Sequence, residues 1–149
     1  MYTKYILTFL ALAMGGLLAV QGSINTQLGT LLKHPLQAAL TNFIVGTFAL
    51  LLINLLLRTG VPELTELKKI PIYLFVGGIM GAVFVSSVVI LVPRIGVATT
   101  LGASIVGQLI IASIIDHYGY FNIAVHPISF GRIVGISLLL IGVFLIERY

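Results

Sequence analysis

The sequence contains no cysteine and no tryptophan, and it has few charged residues. Without cysteine, disulfides, thiolate metal sites and cysteine nucleophiles are excluded. Charged residues make up 8% of the chain, whereas about 25% is usual for a soluble domain. Because 59% of the residues are hydrophobic and the mean hydropathy is +1.18, too little polar surface exists to cover a water-soluble globule. We therefore predict that the lipid bilayer surrounds most of the chain.

The scarce polar residues also exclude several classes of function. The eight Lys and Arg residues are scattered through the connections and form no dense basic patch, so nucleic acid is not an expected partner. Nucleophile, metal-ligand and cofactor motifs are absent, so we predict neither an enzyme nor a metal or cofactor site. Ala11-Leu12-Ala13 resembles a signal-peptide cleavage site. Cleavage there would leave a hydrophobic region that is too short, so we expect the N-terminus to be retained.

Long apolar runs are the dominant pattern. A membrane-spanning helix needs about 20 mostly apolar residues, whereas barrel strands alternate apolar and polar residues over about ten. Every backbone polar group in lipid needs an internal partner, so we interpret the continuous runs as helices. The predicted fold is an all-α polytopic membrane helix bundle that forms one transmembrane domain over residues 1–149. Its five predicted spans cover residues 5–32, 36–57, 72–92, 97–115 and 128–146.

The first of these runs is too long for a straight crossing of the bilayer. As one helix, about 28 residues would measure about 42 Å, against a hydrocarbon core of roughly 30 Å. This run must therefore tilt, break or protrude from the membrane.

Basic residues give a weak orientation signal. Five spans place the two termini on opposite faces of the membrane. One face then receives Lys4, Arg58, Lys68, Lys69 and Arg132, and the other receives Lys33, Arg94 and Arg148. Lys and Arg favour the cytoplasmic face, so this split weakly favours an N-terminus inside and permits insertion in both orientations.

Carboxamide side chains inside the apolar runs are the main candidates for function. Gln21 and Asn25 are four residues apart and share a helix face. If the membrane face is near Lys33, they lie about 18 Å and about 12 Å below it, on either side of the midplane. Buried amides are costly unless they are paired, so they should face protein or a water-filled cavity. We predict that Gln21, Asn25, Gln108 and, at lower rank, Asn42 line a substrate path. Hydrogen bonding that holds the helices together is the alternative, and the two roles are compatible.

Asp116 is the acidic candidate for a proton or cation site. It lies at the edge of the fourth predicted span, and the middle of each span lacks a charged side chain. A helix-end residue in the membrane interface is the alternative interpretation.

Small residues recur at four-residue spacing in four of the five predicted spans. Such spacing lets helix backbones approach closely where lipid supplies no hydrophobic driving force. We predict helix packing, and also oligomerisation, since five helices enclose little space alone. The residues assigned to packing are Gly15, Gly77, Gly81, Gly102, Gly131 and Gly135.

A series of short motifs runs along nearly the whole chain, and their order and spacing are more specific than any single motif. The motifs are Gln21-x3-Asn25, Pro35-Leu36-Gln37-Ala38-Ala39, Asn42-Phe43 with Gly46, Gly77-Gly78-Ile79-Met80-Gly81-Ala82, Pro93-Arg94-Ile95-Gly96, Gly107-Gln108-Leu109-Ile110, Asp116-His117-Tyr118-Gly119, and Arg132 with Gly135 and Gly142. In these motifs the chain resembles the YdcZ-like bacterial inner-membrane proteins of the drug/metabolite transporter superfamily.

The resemblance implies a five-helix unit equivalent to half of a ten-helix transporter, located in the bacterial inner (cytoplasmic) membrane. We therefore expect a small secondary transporter subunit that exports small organic solutes. Its working form would be an antiparallel, dual-topology homodimer or a pair with an oppositely oriented paralogue. A non-transporting scaffold or accessory subunit is the main alternative, and a channel is a third hypothesis.

Overall fold

The computed structural model describes the backbone of residues 2–149 and the side chains of residues 3–149. Within this part of the chain there are helices and connections but no strands, so the predicted all-α fold is confirmed. The α-helices are α1 (Tyr2–Leu31), α2 (Pro35–Leu57), the short α3 (Leu64–Leu67), α4 (Val76–Ile95), α5 (Val97–Tyr118) and α6 (Phe130–Arg148). Two 3-10 turns, Ile72–Phe75 and Tyr120–Asn122, precede α4 and follow α5.

Five of these helical segments are long and apolar enough to cross a membrane, as predicted. Their large apolar side chains point outward to an extent that water would not tolerate. For example, Leu55 is 74% exposed and Phe48 is 67% exposed. The buried apolar residues are mainly small, with Ala38 and Ala39 on α2 and Val88 and Val89 on α4. Lipid therefore solvates the large side chains, while small ones form the helix contacts.

Helix α1 is continuous from Tyr2 to Leu31. Its 30 residues correspond to about 45 Å at 1.5 Å per residue. The hydrocarbon core is roughly 30 Å thick, so α1 either tilts or extends beyond it. The sequence allowed this run to tilt, break or protrude, and the continuous helix excludes a break.

The third span ends later than the sequence predicted. The predicted span ends at residue 92, just before Pro93-Arg94, whereas α4 continues through Pro93 to Ile95. Pro93 cannot donate to the carbonyl four residues earlier and its ring crowds that carbonyl, yet α4 extends two residues beyond it. Gly96, with a φ of 83°, then ends the helix, and its N–H donates to the carbonyl of Val92.

Local caps fix the short connection between α1 and α2. Lys33 takes the left-handed conformation, with a φ of 57°. The imidazole Nδ1 of His34 accepts a hydrogen bond from the N–H of Leu36, and Pro35 occupies the first helical position. Proline suits that position because no intrahelical partner exists there for an N–H. The chain consequently reverses direction within three residues.

The chain comprises two compact units, Met1–Ile90 and Leu91–Tyr149. In the first unit, α1 packs against α2, and α1 also contacts α4. In the second unit, α5 and α6 pack against each other as an antiparallel hairpin. The single transmembrane domain inferred from the sequence stays a prediction.

Candidate functional site

Asn25 is buried on the face of α1 that packs against α4. Only 4% of its surface is exposed. Gly22 and Gly29 lie on the same helix face, about one turn away in either direction. A Cβ on Gly22 would be 3.2 Å from Val88 Cγ1, and one on Gly29 would be 2.7 Å from Val89 Cγ1. The two glycines therefore let α4 approach the α1 backbone closely, and this approach buries the carboxamide between them.

Gln21 is exposed and borders two grooves of the first unit. The α1 groove has a volume of about 600 Å³, and apart from Gln21 and Asn25 its described lining is apolar: Met14, Leu17, Leu18, Val20 and Ile24. The Gln21–Asn42 groove has a volume of about 240 Å³. It is lined by Gln21 of α1, by Asn42, Phe43, Gly46, Thr47 and Leu50 of α2, and by Val85 of α4. Gln21 is thus shared by both grooves, with Asn25 on one side and Asn42 on the other.

Asn42 has an unsatisfied donor. Its Nδ2 is shielded from solvent and has no hydrogen-bond partner among the described residues. Asn54, which lies on the same helix, differs in this respect. The Nδ2 of Asn54 donates to the carbonyl of Leu50 at 2.8 Å, and its Oδ1 accepts from the hydroxyl of Thr59. An unsatisfied buried donor costs about 1–3 kcal/mol, so Asn42 is the exceptional amide of α2.

Asp116 forms an ion pair with Arg132 in the second unit. Arg132 Nη1 lies 3.2 Å from Asp116 Oδ2, and it also donates to the carbonyl of His126 at 3.2 Å. The side chains of Arg132 and Asp116 are 38% and 30% exposed. An ion pair that is one-third exposed is worth little stability, so its main effect is to fix geometry. It joins the C-terminal end of α5 to the N-terminal end of α6.

Backbone contacts hold the connection between these two helices. His126 donates its N–H to the carbonyl of Asp116 at 2.8 Å, and His117 Nδ1 accepts from the N–H of Ile128 at 3.2 Å. Gly119 ends α5 in the left-handed conformation, with a φ of 66°. A Cβ on Gly119 would be 2.8 Å from Val125 Cγ2, so both the backbone conformation and the space favour glycine.

A third groove, the α5–α6 groove, begins at this ion pair. Its volume is about 340 Å³. The lining residues from α5 are Leu109, Ala112, Ser113 and Asp116, and those from α6 are Arg132, Gly135, Ile136 and Leu139. Each set spans two helical turns, and the antiparallel arrangement pairs Asp116 with Arg132 at one end and Leu109 with Leu139 at the other. The groove is therefore charged at one end and apolar along the rest of its length.

Gln108 lies on α5 in the second unit. Its side chain is exposed, and it lines none of these three grooves. The structure thus brings Gln21, Asn25 and Asn42 together in the first unit.

The family described as "Putative inner membrane exporter, YdcZ" matches residues 6–145 of the chain. The chain belongs to this family. The YdcZ resemblance predicted from the motifs is therefore confirmed. Together with the five apolar helices, membership makes the chain a multi-pass inner membrane protein of an exporter family rather than an enzyme family. No curated protein and no solved structure matches the chain.

In this YdcZ-family chain, the glycines assigned to helix packing fall into two groups. A Cβ on Gly81 would be 3.5 Å from Phe43 Cζ, and one on Gly102 would be 2.9 Å from Val143 Cγ2, so helices approach at both positions. At the other four glycines no neighbouring helix lies close to the position of a Cβ. A Cβ would meet nothing within 4 Å on Gly15, Gly77 or Gly135, and only Ser129 Oγ at 3.9 Å on Gly131.

Sequence reasoning missed two features of this YdcZ-family member. One is the pair of glycines, Gly22 and Gly29, that seats α4 on α1. Their seven-residue spacing places them on one helix face and was the available signal. The other is the contact between Asp116 and Arg132. These residues are 16 positions apart, and only the closure of the α5–α6 hairpin brings them together.

Proposed function

We propose that the chain is a small secondary transporter subunit that exports small organic solutes. Two copies of opposite orientation, or one copy and an oppositely oriented paralogue, form the working unit. Gln21, Asn25 and Asn42 line the solute path in each copy. The observation that carries the proposal is the position of Gln21, which borders both grooves of the first unit between two further carboxamides.

The chemistry of the grooves supports a solute path. Their described lining is apolar except for Gln21, Asn25, Asn42 and Thr47, none of which is charged. Ligand sites are mostly apolar and contain a few polar groups that set orientation. The amides can donate and accept hydrogen bonds, so they can replace water around a solute at membrane depth.

Asn42 is the residue best placed to bind the solute. Its unsatisfied Nδ2 is shielded, but the terminal torsion of asparagine is soft, and rotation would turn the N–H groups toward the groove. A solute acceptor would then supply the missing hydrogen bond. The free energy that the unliganded protein loses through this donor would be recovered on binding.

Gln108 supports the assembly into a dimer. An exposed amide in the middle of a membrane helix is costly in lipid, because nothing there accepts its hydrogen bonds. A second copy that covered this part of α5 would remove the cost. Inverted pairs of this kind alternate access by moving one half against the other around a site near the midplane.

Solute counterflow in proteoliposomes tests the proposal. Vesicles containing the purified chain are loaded with a mixed panel of amino acids, sugars, nucleosides and aromatic amines, and mass spectrometry follows each compound. We expect saturable exchange of at least one compound, lost in Asn42→Leu and kept in Asn54→Leu. If no compound moves, and another membrane protein instead co-purifies stoichiometrically, the chain is a scaffold or accessory subunit. Unitary currents would identify a channel.

A further inference from the structure

The α5–α6 groove has a charged end and an apolar body. It starts at the Asp116–Arg132 pair and runs along about seven residues of each helix, which corresponds to about 10 Å. Beyond the ion pair its lining is Leu109, Ala112, Ser113, Gly135, Ile136 and Leu139. A groove with a charged mouth and an apolar body matches a molecule with a polar head and a hydrocarbon tail.

Small residues leave room for a hydrocarbon chain in this groove. Gly135 lies in its wall, and a Cβ built there meets nothing within 4 Å. Ala112 lines the wall contributed by α5. Larger side chains at these two positions would fill the space between the helices. A segment of acyl chain therefore has room in the groove beside Gly135 and Ala112.

Aromatic residues place the mouth of the groove at the level of lipid headgroups. Tyr118 and Tyr120 lie two and four positions after Asp116, are 63% and 53% exposed, and have ring centroids 5.5 Å apart. Exposed tyrosines are enriched at the membrane–water interface, where the ring is in the apolar region and the hydroxyl in water. Asp116 and Arg132 thus lie where a headgroup would lie.

The charges at the mouth favour a zwitterionic headgroup. Asp116 and Arg132 carry opposite charges, and the other described lining residues are uncharged, so the site has no net formal charge. The ion pair uses only Oδ2 of Asp116 and Nη1 of Arg132. Asp116 Oδ1 and the Nε and Nη2 atoms of Arg132 form no hydrogen bond among the described residues, so one acceptor oxygen and two donor nitrogens remain for a ligand.

We propose that the α5–α6 groove binds one phosphatidylethanolamine molecule, whose ammonium pairs with Asp116 and whose phosphate pairs with Arg132. One acyl chain lies in the groove beside Gly135. An anionic lipid would bring a negative charge that the site does not balance. Phosphatidylcholine would bring a quaternary ammonium that has no N–H to donate to Asp116.

Lipid retention in native mass spectrometry tests this proposal. The purified chain is incubated with phosphatidylethanolamine, phosphatidylglycerol and phosphatidylcholine that have identical acyl chains. We expect one phosphatidylethanolamine to be retained per chain, in preference to the other two lipids. Asp116→Asn keeps an acceptor for Arg132 but removes the negative charge. Loss of one charge-assisted hydrogen bond should weaken phosphatidylethanolamine binding about tenfold and shift the preference to phosphatidylglycerol.

A second pair of variants tests the acyl groove without touching the ion pair. Gly135→Leu should fill the groove and reduce retention of all three lipids. Gly142→Leu is the matched control, since it lies on the same helix, also has open space at its Cβ, and does not line the groove. Equal retention of the three lipids by the unmodified chain would overturn the proposal, as would unchanged retention in Gly135→Leu. If Gly135→Leu alters the number of chains per particle but not the lipid retained, a helix of a second copy occupies the groove instead.

Discussion

Gly29 of α1 lies so close to Val89 of α4 that a Cβ on the glycine would be 2.7 Å from Val89 Cγ1. Ala38 and Pro35 of α2 are also near this point, at 3.6 and 3.8 Å from the same Cβ position. One glycine therefore serves a contact among three helices. Asn25, four residues earlier on the same face, is buried as a result of this close approach.

Enlarging Gly29 should destabilise the first unit. Gly29→Val would force α1 away from α4, and overpacking of this kind costs typically about 1–3 kcal/mol. The melting temperature in detergent micelles should fall by several degrees. Gly16→Val on the same helix is the control, because its Cβ would meet nothing within 4 Å. An equal decrease in both variants would mean that the change acts through the helix itself and not through the contact.

Asn42→Leu should abolish or strongly reduce solute exchange while leaving the protein folded. The change removes an unsatisfied buried donor, so the melting temperature should be unchanged or higher. Asn54→Leu breaks existing hydrogen bonds and should have the opposite profile, with lower stability and retained exchange. Counterflow rates and melting temperatures of both variants give the comparison. Full exchange by Asn42→Leu would remove this residue from the proposed path.

Gln108→Leu should stop exchange without unfolding α5. The side chain is exposed, so leucine creates no clash within the chain, and it removes the polar group that we expect to face a second copy. Ser104→Ala is the control one turn away, because that hydroxyl already bonds to the carbonyl of Thr100. Dimer content, measured by chemical cross-linking, and the rate of solute exchange are determined on the same samples of both variants. Normal exchange and normal dimer content in Gln108→Leu would contradict the role of this amide.

Orientation can be measured directly, because the chain has no cysteine of its own. Thr65→Cys places a single thiol in α3, between the second and third spans, and Tyr149→Cys places one directly after α6. A five-span chain puts these two positions on opposite faces of the membrane. With dual topology, a membrane-impermeant maleimide applied to intact cells should label about half of each variant. Complete labelling of one and none of the other would mean a single orientation. The working dimer would then require an oppositely oriented partner chain.

Gly119→Ala should destabilise the α5–α6 connection. Two costs combine there, namely a left-handed backbone that disfavours a Cβ by roughly 1–2 kcal/mol and a contact at 2.8 Å with Val125. Gly60→Ala measures the cost of the backbone conformation alone, since Gly60 also has a positive φ but open space around it. Melting temperatures should fall more for Gly119→Ala than for Gly60→Ala. Similar decreases would show that the contact with Val125 relaxes at no cost.

Hydropathy alone was sufficient to predict the five membrane helices, and the order of the motifs was sufficient to predict the family. Both properties are local or additive, because insertion in lipid depends on summed transfer free energies and on backbone hydrogen bonds within each helix. Helix ends were less predictable. The predicted third span ends at residue 92, whereas α4 continues through Pro93 to Ile95, and Gly96, with its positive φ, follows the last helical residue.

The sequence by itself determined that this chain crosses the membrane as helices, and it identified Gln21, Asn25, Gln108 and Asn42 as polar residues in apolar surroundings. Only the tertiary structure decided that Gln21 lies between Asn25 and Asn42, that Asn42 Nδ2 is buried without a hydrogen-bond partner among the described residues, and that Asp116 pairs with Arg132. Composition and spacing report what each helix presents to its surroundings. Which faces meet depends on how closely backbones approach, and here the approach is set by glycines such as Gly29 and Gly102.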